Sequence, residues 1–216
     1  MSTIRHHLND SLLMAYAAGS LPEAFNLVVA THLSMCDDCR ARAGAFDAVG
    51  ATVLDGCSAS VSDSSLDDCL ARIDSLPMTP RTAQRPAPRR SVLPTPLQDY
   101  IGGDLESVKW RPLGMGVRQA ILPTSAGARA RLLYIPGGQA VPDHGHRGTE
   151  LTLVLQGAFR DATDRFGPGD VEIANEELEH TPTAEAGPPC ICLAATDAPL
   201  RFNSMMPRLL QPLFRI

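Results

Sequence analysis

Along the first third of the chain, apolar residues recur at helical spacing. In "NDSLLMAYAAG", Leu12, Leu13 and Tyr16 fall on one face, Asn9 or Asp10 serves as N-cap, and Gly19 marks the stop. "SLPEAFNLVVATHL" starts a second helix, with Ser20 as cap and Pro22 in its first turn. A third helix is predicted from about Cys36 to Leu54. A fourth, in "SSLDDCLARIDSL", carries Leu66, Cys69, Leu70 and Ile73 on one stripe. The first expectation for that stripe is burial within the helical unit; the alternative is a face that docks a partner.

The period then breaks. Residues 77–96, "PMTPRTAQRPAPRRSVLPTP", hold six prolines, four arginines and little to bury, which reads as a linker. From Leu97 onward short runs such as "VRQAIL", "ARLLYI", "ELTLVLQG", "DVEIA" and "CICLAA" alternate with "PGGQ", "QGAF" and "FGPGD". Short strands at regular spacing with Gly/Pro turns predict a sandwich or barrel. The predicted architecture is α+β in two domains: an all-α helical domain over 1–76, a linker over 77–96, and an all-β domain over 97–216.

Composition supports a folded chain, since 44% of its 216 residues are apolar. The start "MSTIRHHLND" has no apolar signal region, and runs such as "NLVVA" and "LTLVL" are too short to span a bilayer. A cytoplasmic protein without a membrane partner is expected. Thiols stay reduced there, so six cysteines point to metal binding or redox chemistry before structural disulfides. Charge is uneven. Residues 1–76 carry 4 basic and 10 acidic side chains, a net −6, against a net of −5 for the whole chain. That balance argues against direct nucleic-acid binding and favours a basic protein partner.

Two clusters carry the candidate chemistry. "DHGHRGTE" places His144, His146 and Glu150 within seven residues, at positions of equal parity on an extended chain. His180, in "EELEHTP", is a fourth donor. Three imidazoles and a carboxylate suit Zn, Fe, Mn or Ni. The second cluster, His32-x3-Cys36-x2-Cys39, offers three ligands, because two residues between thiolates let both reach one ion. Its fourth ligand must come from elsewhere in the helical unit, where His6 and His7 are the remaining histidines. A small helical unit gains stability from such a staple. Cys57 and Cys69 read as a loop thiol and a small core residue. Cys190 and Cys192 share a strand face; they read as a core pair, with redox sensing beside the metal as the alternative. Trp110 reads as core.

Both clusters resemble known signatures. Gly138, five residues, His144-x-His146, three residues, Glu150, six residues and Gly157 resemble the first cupin motif at every defined position. "FGPGDVEIANEELEHTP" resembles the second, with the Pro168-Gly169-Asp170 turn followed by His180, at a longer spacing than the common pattern. Cupins are jelly-roll barrels, which agrees with the strand reading. An upstream His followed by His-x3-Cys-x2-Cys across a helix junction resembles the zinc-binding anti-sigma domain. With the C-terminal cupin, the chain resembles the ChrR-type anti-sigma factors over nearly its whole length, including "TIRHH", "AYAAG", "HGHRG", "LVLQGAFRD" and "ATDAPLRFNS".

That resemblance implies a zinc site of His7, His32, Cys36 and Cys39, and a cupin metal site of His144, His146, Glu150 and His180. The cupin metal would be zinc or another divalent ion such as Fe, Mn or Ni. The resemblance also implies a non-enzymatic regulator without catalytic residues. It would bind an extracytoplasmic-function sigma factor in a 1:1 complex through its helical domain and respond to singlet oxygen and related oxidants through its cupin. The alternatives are a dioxygenase-like cupin metalloenzyme with a regulatory zinc domain, and a zinc adaptor with an inert cupin.

Overall fold

A computed structural model describes residues 4–77, 91–145, 147–175 and 179–199, and the backbone of 201–202. Most of the expected linker, including 78–90, lies outside the described residues, as does His146.

Five helices are described: α1 (Asp10–Ala17), α2 (Glu23–Leu33), α3 (Asp37–Asp55), α4 (Ser65–Asp74) and α5 (Thr95–Ile101). A 3-10 turn, Leu105–Ser107, follows. The Asn9 side chain caps α1 by accepting from the Leu12 amide at 2.9 Å. α2 begins at Glu23, three residues after the expected Ser20 cap, with Pro22 in the capping position. α5 falls where strand grammar was expected to begin. Pro96 stands in its first turn and Gly102 ends it at φ +79°, the left-handed conformation that glycine takes without strain.

The strands are β1 (Arg111–Gly114), β2 (Val117–Ile121), β3 (Arg129–Ile135), β4 (His144–Gly145), β5 (Glu150–Gln156), β6 (Phe159–Arg160), β7 (Arg165–Phe166), β8 (Val171–Ala174), β9 (Glu179–His180), β10 (Thr183–Ala184), β11 (Cys190–Thr196) and β12 (Arg201–Phe202). They form a six-stranded antiparallel sheet, β1-β2-β3-β11-β5-β8, and two three-stranded sheets, β10-β6-β7 and β12-β4-β9. The turns predicted a sandwich or barrel, and the cupin resemblance implied the jelly-roll form that these sheets take. Gly157, which closes β5, has φ +70°, and a Cβ there would meet the Pro189 carbonyl oxygen at 2.6 Å. Glycine is therefore required at that corner.

The large sheet is covered on both faces, which explains why central strand β11 is buried at every residue. Side chains of one parity, Leu132, Leu151, Leu153, Ile191 and Leu193, join α2 and α5 in a single apolar core with Phe25 and Val28. Side chains of the other parity, including Val154, Cys190 and Cys192, pack with Phe159 and Phe166 inside the barrel. The helical and sheet parts thus share one core. A polar clasp at its edge adds to the seam: Glu23 accepts from the Tyr100 hydroxyl and, at 2.6 Å, from the Ser125 amide.

α4 behaves otherwise. The expected burial of its stripe is not found: none of its residues is buried, and Leu66, Leu70 and Ile73 are 69%, 50% and 57% exposed. Cys69, expected as a core residue, is exposed with them. Trp110 sits half-buried, edge-on to Tyr134 at 5.9 Å.

Because helices and sheet share a core, Leu193→Ala should cost about 2–5 kcal/mol. Helical circular dichroism and Trp110 fluorescence should lose their native signal in one coincident urea transition. Two separated transitions would show that the halves unfold independently.

Candidate metal centres

The N-terminal cluster assembles where three chain segments meet. Residues 4–9 lead into α1, His32 lies in the last turn of α2, and Cys36 caps α3, its Sγ accepting from the Cys39 amide at 3.4 Å. One ligand atom from each of His7, His32, Cys36 and Cys39 lies within 4.8 Å of the others. His7 Nδ1 stands 3.3 Å from Cys36 Sγ and 3.6 Å from Cys39 Sγ. His32 is fully buried, and its Nδ1–H donates to the Gly169 carbonyl at 2.9 Å.

The donor set fits a metal. His32 Nε2 is buried without a hydrogen-bond partner, which is costly unless something supplies one. Burial pushes the His32 pKa down to about 4, so its ring is neutral and able to ligate. Burial also pushes the Cys39 thiol up, with Cys36 adding to the effect. Two buried thiols and two imidazoles within reach of one ion are the ligand types of tetrahedral zinc.

His6, the neighbour of His7, faces elsewhere. Its Nε2 lies 3.0 Å from Asp164 Oδ2 and its Nδ1 3.5 Å from Asp170 Oδ2. The backbone is held there as well. Asp170 Oδ1 accepts from the amides of Arg5 (2.6 Å) and His6 (2.9 Å), and the His6 carbonyl accepts from the Val171 amide at 3.1 Å.

In the barrel, His144 and His180 face each other across β4 and β9, ring centroids 4.8 Å apart. Both rings are anchored through Nδ1. His144 Nδ1–H donates to the Pro142 carbonyl at 2.8 Å. His180 Nδ1 lies 2.9 Å from Asp161 Oδ2 and 3.2 Å from Glu172 Oε1. Anchoring of this kind fixes ring orientation, and in metal sites it accompanies ligation through Nε2. Glu150 accepts from the Thr152 hydroxyl at 3.0 Å and acts on His144 through its charge. Asp161 and Glu172 were not among the expected residues, yet they form with His180 a compact group within 4.8 Å. The available signal was parity: Glu172 lies on the barrel side of β8, between apolar neighbours.

Burial lowers His180, but Glu172 and Asp161 outweigh it and hold the ring up at about 9. Burial raises Glu172 to about 7. Burial would also raise Asp161, but hydrogen bonds from Thr163 and His180 hold it well below the usual carboxylate range. Cys190 and Cys192 are buried on the same interior side with sulfurs 3.5 Å apart, and the Cys190 contact and burial push the Cys192 thiol well up.

Residues 98–198 match the family model described as the ChrR Cupin-like domain. The chain is 66% identical over 218 residues to the anti-sigma-E factor ChrR of Cereibacter sphaeroides, covering 99% of this chain and 100% of that protein. It is also similar to the ChrR chain in a crystal structure of Rhodobacter sphaeroides SigE in complex with the anti-sigma ChrR. That match has 62% identity and a TM-score of 0.80, over 90% of this chain and 100% of the other.

Zinc-loaded protein treated with an alkylating reagent should be labelled at exposed Cys57 and Cys69 and protected at Cys36 and Cys39, which a chelator should unmask. Mass spectrometry reads the sites; equal labelling of Cys36 and Cys39 with and without metal would contradict the assignment. In the metal-free chain, His32 holds its proton more weakly when folded, at about 4, than when unfolded, at 6.5. Stability should therefore be complete above pH 6.5 and fall as pH drops toward 4, by roughly 3 kcal/mol in all. Urea melts across that range measure the loss.

Proposed function

The chain belongs to the ChrR family of anti-sigma factors, and we propose that it binds and inhibits an extracytoplasmic-function sigma factor in a 1:1 complex. The observation that carries this reading is the apolar face of α4, which nothing among the described residues covers. Leu66, Leu70 and Ile73 recur at helical spacing, and no residue of that helix is buried. A stripe of that kind meets an apolar groove on a partner, with i, i+4 and i+7 as anchors. The distal half of α3 continues the apolar exposure through Val49 and Val53. Asp67, Asp68 and Asp74 stand beside the stripe, and the negative charge of residues 1–76 steers a basic partner onto it.

In this reading residues 1–76 form the sigma-binding unit, 77–96 a linker and 97–216 the sensor. His7, His32, Cys36 and Cys39 hold zinc, which would fix the junction of α2 and α3. His144, His146, Glu150 and His180 hold a second divalent ion in the barrel. The chain acts as a regulator without turnover. Oxidants such as singlet oxygen are sensed at the cupin and lower the affinity for sigma, in the cytoplasm. Among the described residues no helix is long and apolar enough to cross a membrane.

A sigma-dependent reporter in the native host, with and without singlet oxygen, tests both halves of the proposal. Leu70→Asp should derepress the reporter without oxidant, with at least a tenfold loss of sigma affinity in purified protein. The fold should be intact, because the side chain is exposed. His144→Ala should still repress but no longer release sigma on oxidant challenge. Full repression by Leu70→Asp would discard the α4 docking face. A normal oxidant response in His144→Ala would discard the barrel as sensor, and oxygen-dependent turnover by the iron-loaded protein would favour an enzyme.

A further inference from the structure

We propose that the Gly169–Asp170 turn of the sheet is the outer support of the N-terminal metal site, with Asp170 acting as the positioning residue for His7. This rests on the reading of His7, His32, Cys36 and Cys39 as metal ligands. Two of those four ligands are oriented by this turn.

His32 donates through Nδ1 to the Gly169 carbonyl, which turns Nε2 toward the thiols and fixes the tautomer. His7 is placed through the backbone just before it. The amides of Arg5 and His6 converge on one carboxylate oxygen of Asp170, and the His6 carbonyl takes the Val171 amide. The other Asp170 oxygen accepts from the Gly167 amide at 2.8 Å, so the carboxylate is itself locked in its turn. Bonds from amides to a buried carboxylate are stronger than neutral ones, and Asp170 is only 4% exposed. The N-terminal segment also lies tightly on the turn. Gly169 has φ +92°, and a Cβ there would meet Ile4 Cδ1 at 2.6 Å.

A ligand on an irregular segment carries a large ordering cost unless that segment is tied down, and His7 lies outside any helix or strand. Asp170 ties this one down before any metal arrives. The site is therefore completed by the sheet, although all four ligands lie within the first 39 residues.

Cobalt(II) titration of the full chain tests this, because thiolate–cobalt absorption reports a site with Cys36 and Cys39, and Cys36→Ala supplies the blank. Asp170→Ala should lower cobalt affinity about 10- to 100-fold and shift the ligand-field band. Asp170→Asn keeps one acceptor oxygen for the Arg5 and His6 amides and should fall between wild type and Asp170→Ala. Leu193→Ala, which weakens the shared core away from the turn, should leave the band unmoved and separates positioning from general destabilisation. If Asp170→Ala does not fold, Asp170→Asn decides. Wild-type affinity and band in the folded Asp170 variant would overturn the inference, and so would a loss no greater than that of Leu193→Ala. Absence of the thiolate band in wild type would overturn the metal reading beneath it.

Discussion

A histidine ring buried between a helix and a β-turn ties the two halves of this chain together. His32 is fully inaccessible, yet it lies in the last turn of a helix and has two polar nitrogens to satisfy. One reaches the Gly169 carbonyl across the seam; the other faces the thiols of its own half. Burying an imidazole with an unsatisfied nitrogen costs about 1–3 kcal/mol. The ring is thus tolerable only where a sheet turn and a thiol pair able to hold a metal ion are both at hand. The α2 face that joins the sheet and the position of the Asp170 turn both follow from that requirement.

The same seam divides the surface into two kinds of apolar residue. Those on α2 and α5 are removed from water by the large sheet, and those of α4 are not removed by anything among the described residues. A helix with an exposed apolar stripe has little reason to hold its place on propensity alone. If the sigma factor docks there, as proposed, it supplies the tertiary packing that the described residues do not, and part of the interaction energy goes into ordering the helix.

Most of the fold was legible because its signals are local. Asn9 as a cap, Gly19 as a stop, the Cys-x2-Cys spacing and the alternating strand runs each occupy a few consecutive residues. What escaped depended on contacts distant in sequence. α4 carries the stripe of a buried helix, and nothing within it says that it stays exposed among the described residues. α5 was hidden because seven residues show no helical period, although Pro96 and Gly102 bracket it. Asp161 and Glu172 meet His180 only because the β6–β7 turn and strands β8 and β9 fold together. Asp170 was visible as a turn residue, but its hold on Arg5 and His6 spans more than 160 positions. His7 against His6 was open on spacing, and the geometry separates them: one faces the thiols, the other Asp164 and Asp170.

Strand β8 gives the seam its further significance. Its first residue, Val171, bonds to the N-terminal segment, and its second, Glu172, reaches His180 inside the barrel. Asp164 and Asp161 repeat the pairing from one loop, toward His6 and His180 respectively. The two candidate centres therefore lean on the same short stretch of backbone from opposite sides. A stimulus in the barrel can alter an affinity at the helices only by favouring one of two arrangements that differ there in free energy. A packed core does not deform continuously, so an element with two discrete positions is required. β8 and its preceding turn are short, lie at the edge of the large sheet, and carry side chains committed to both sides. A shift that frees Glu172 from His180 would also move the acceptors of the Arg5, His6 and His32 bonds, because two peptide units separate Glu172 from Asp170 and three separate it from Gly169.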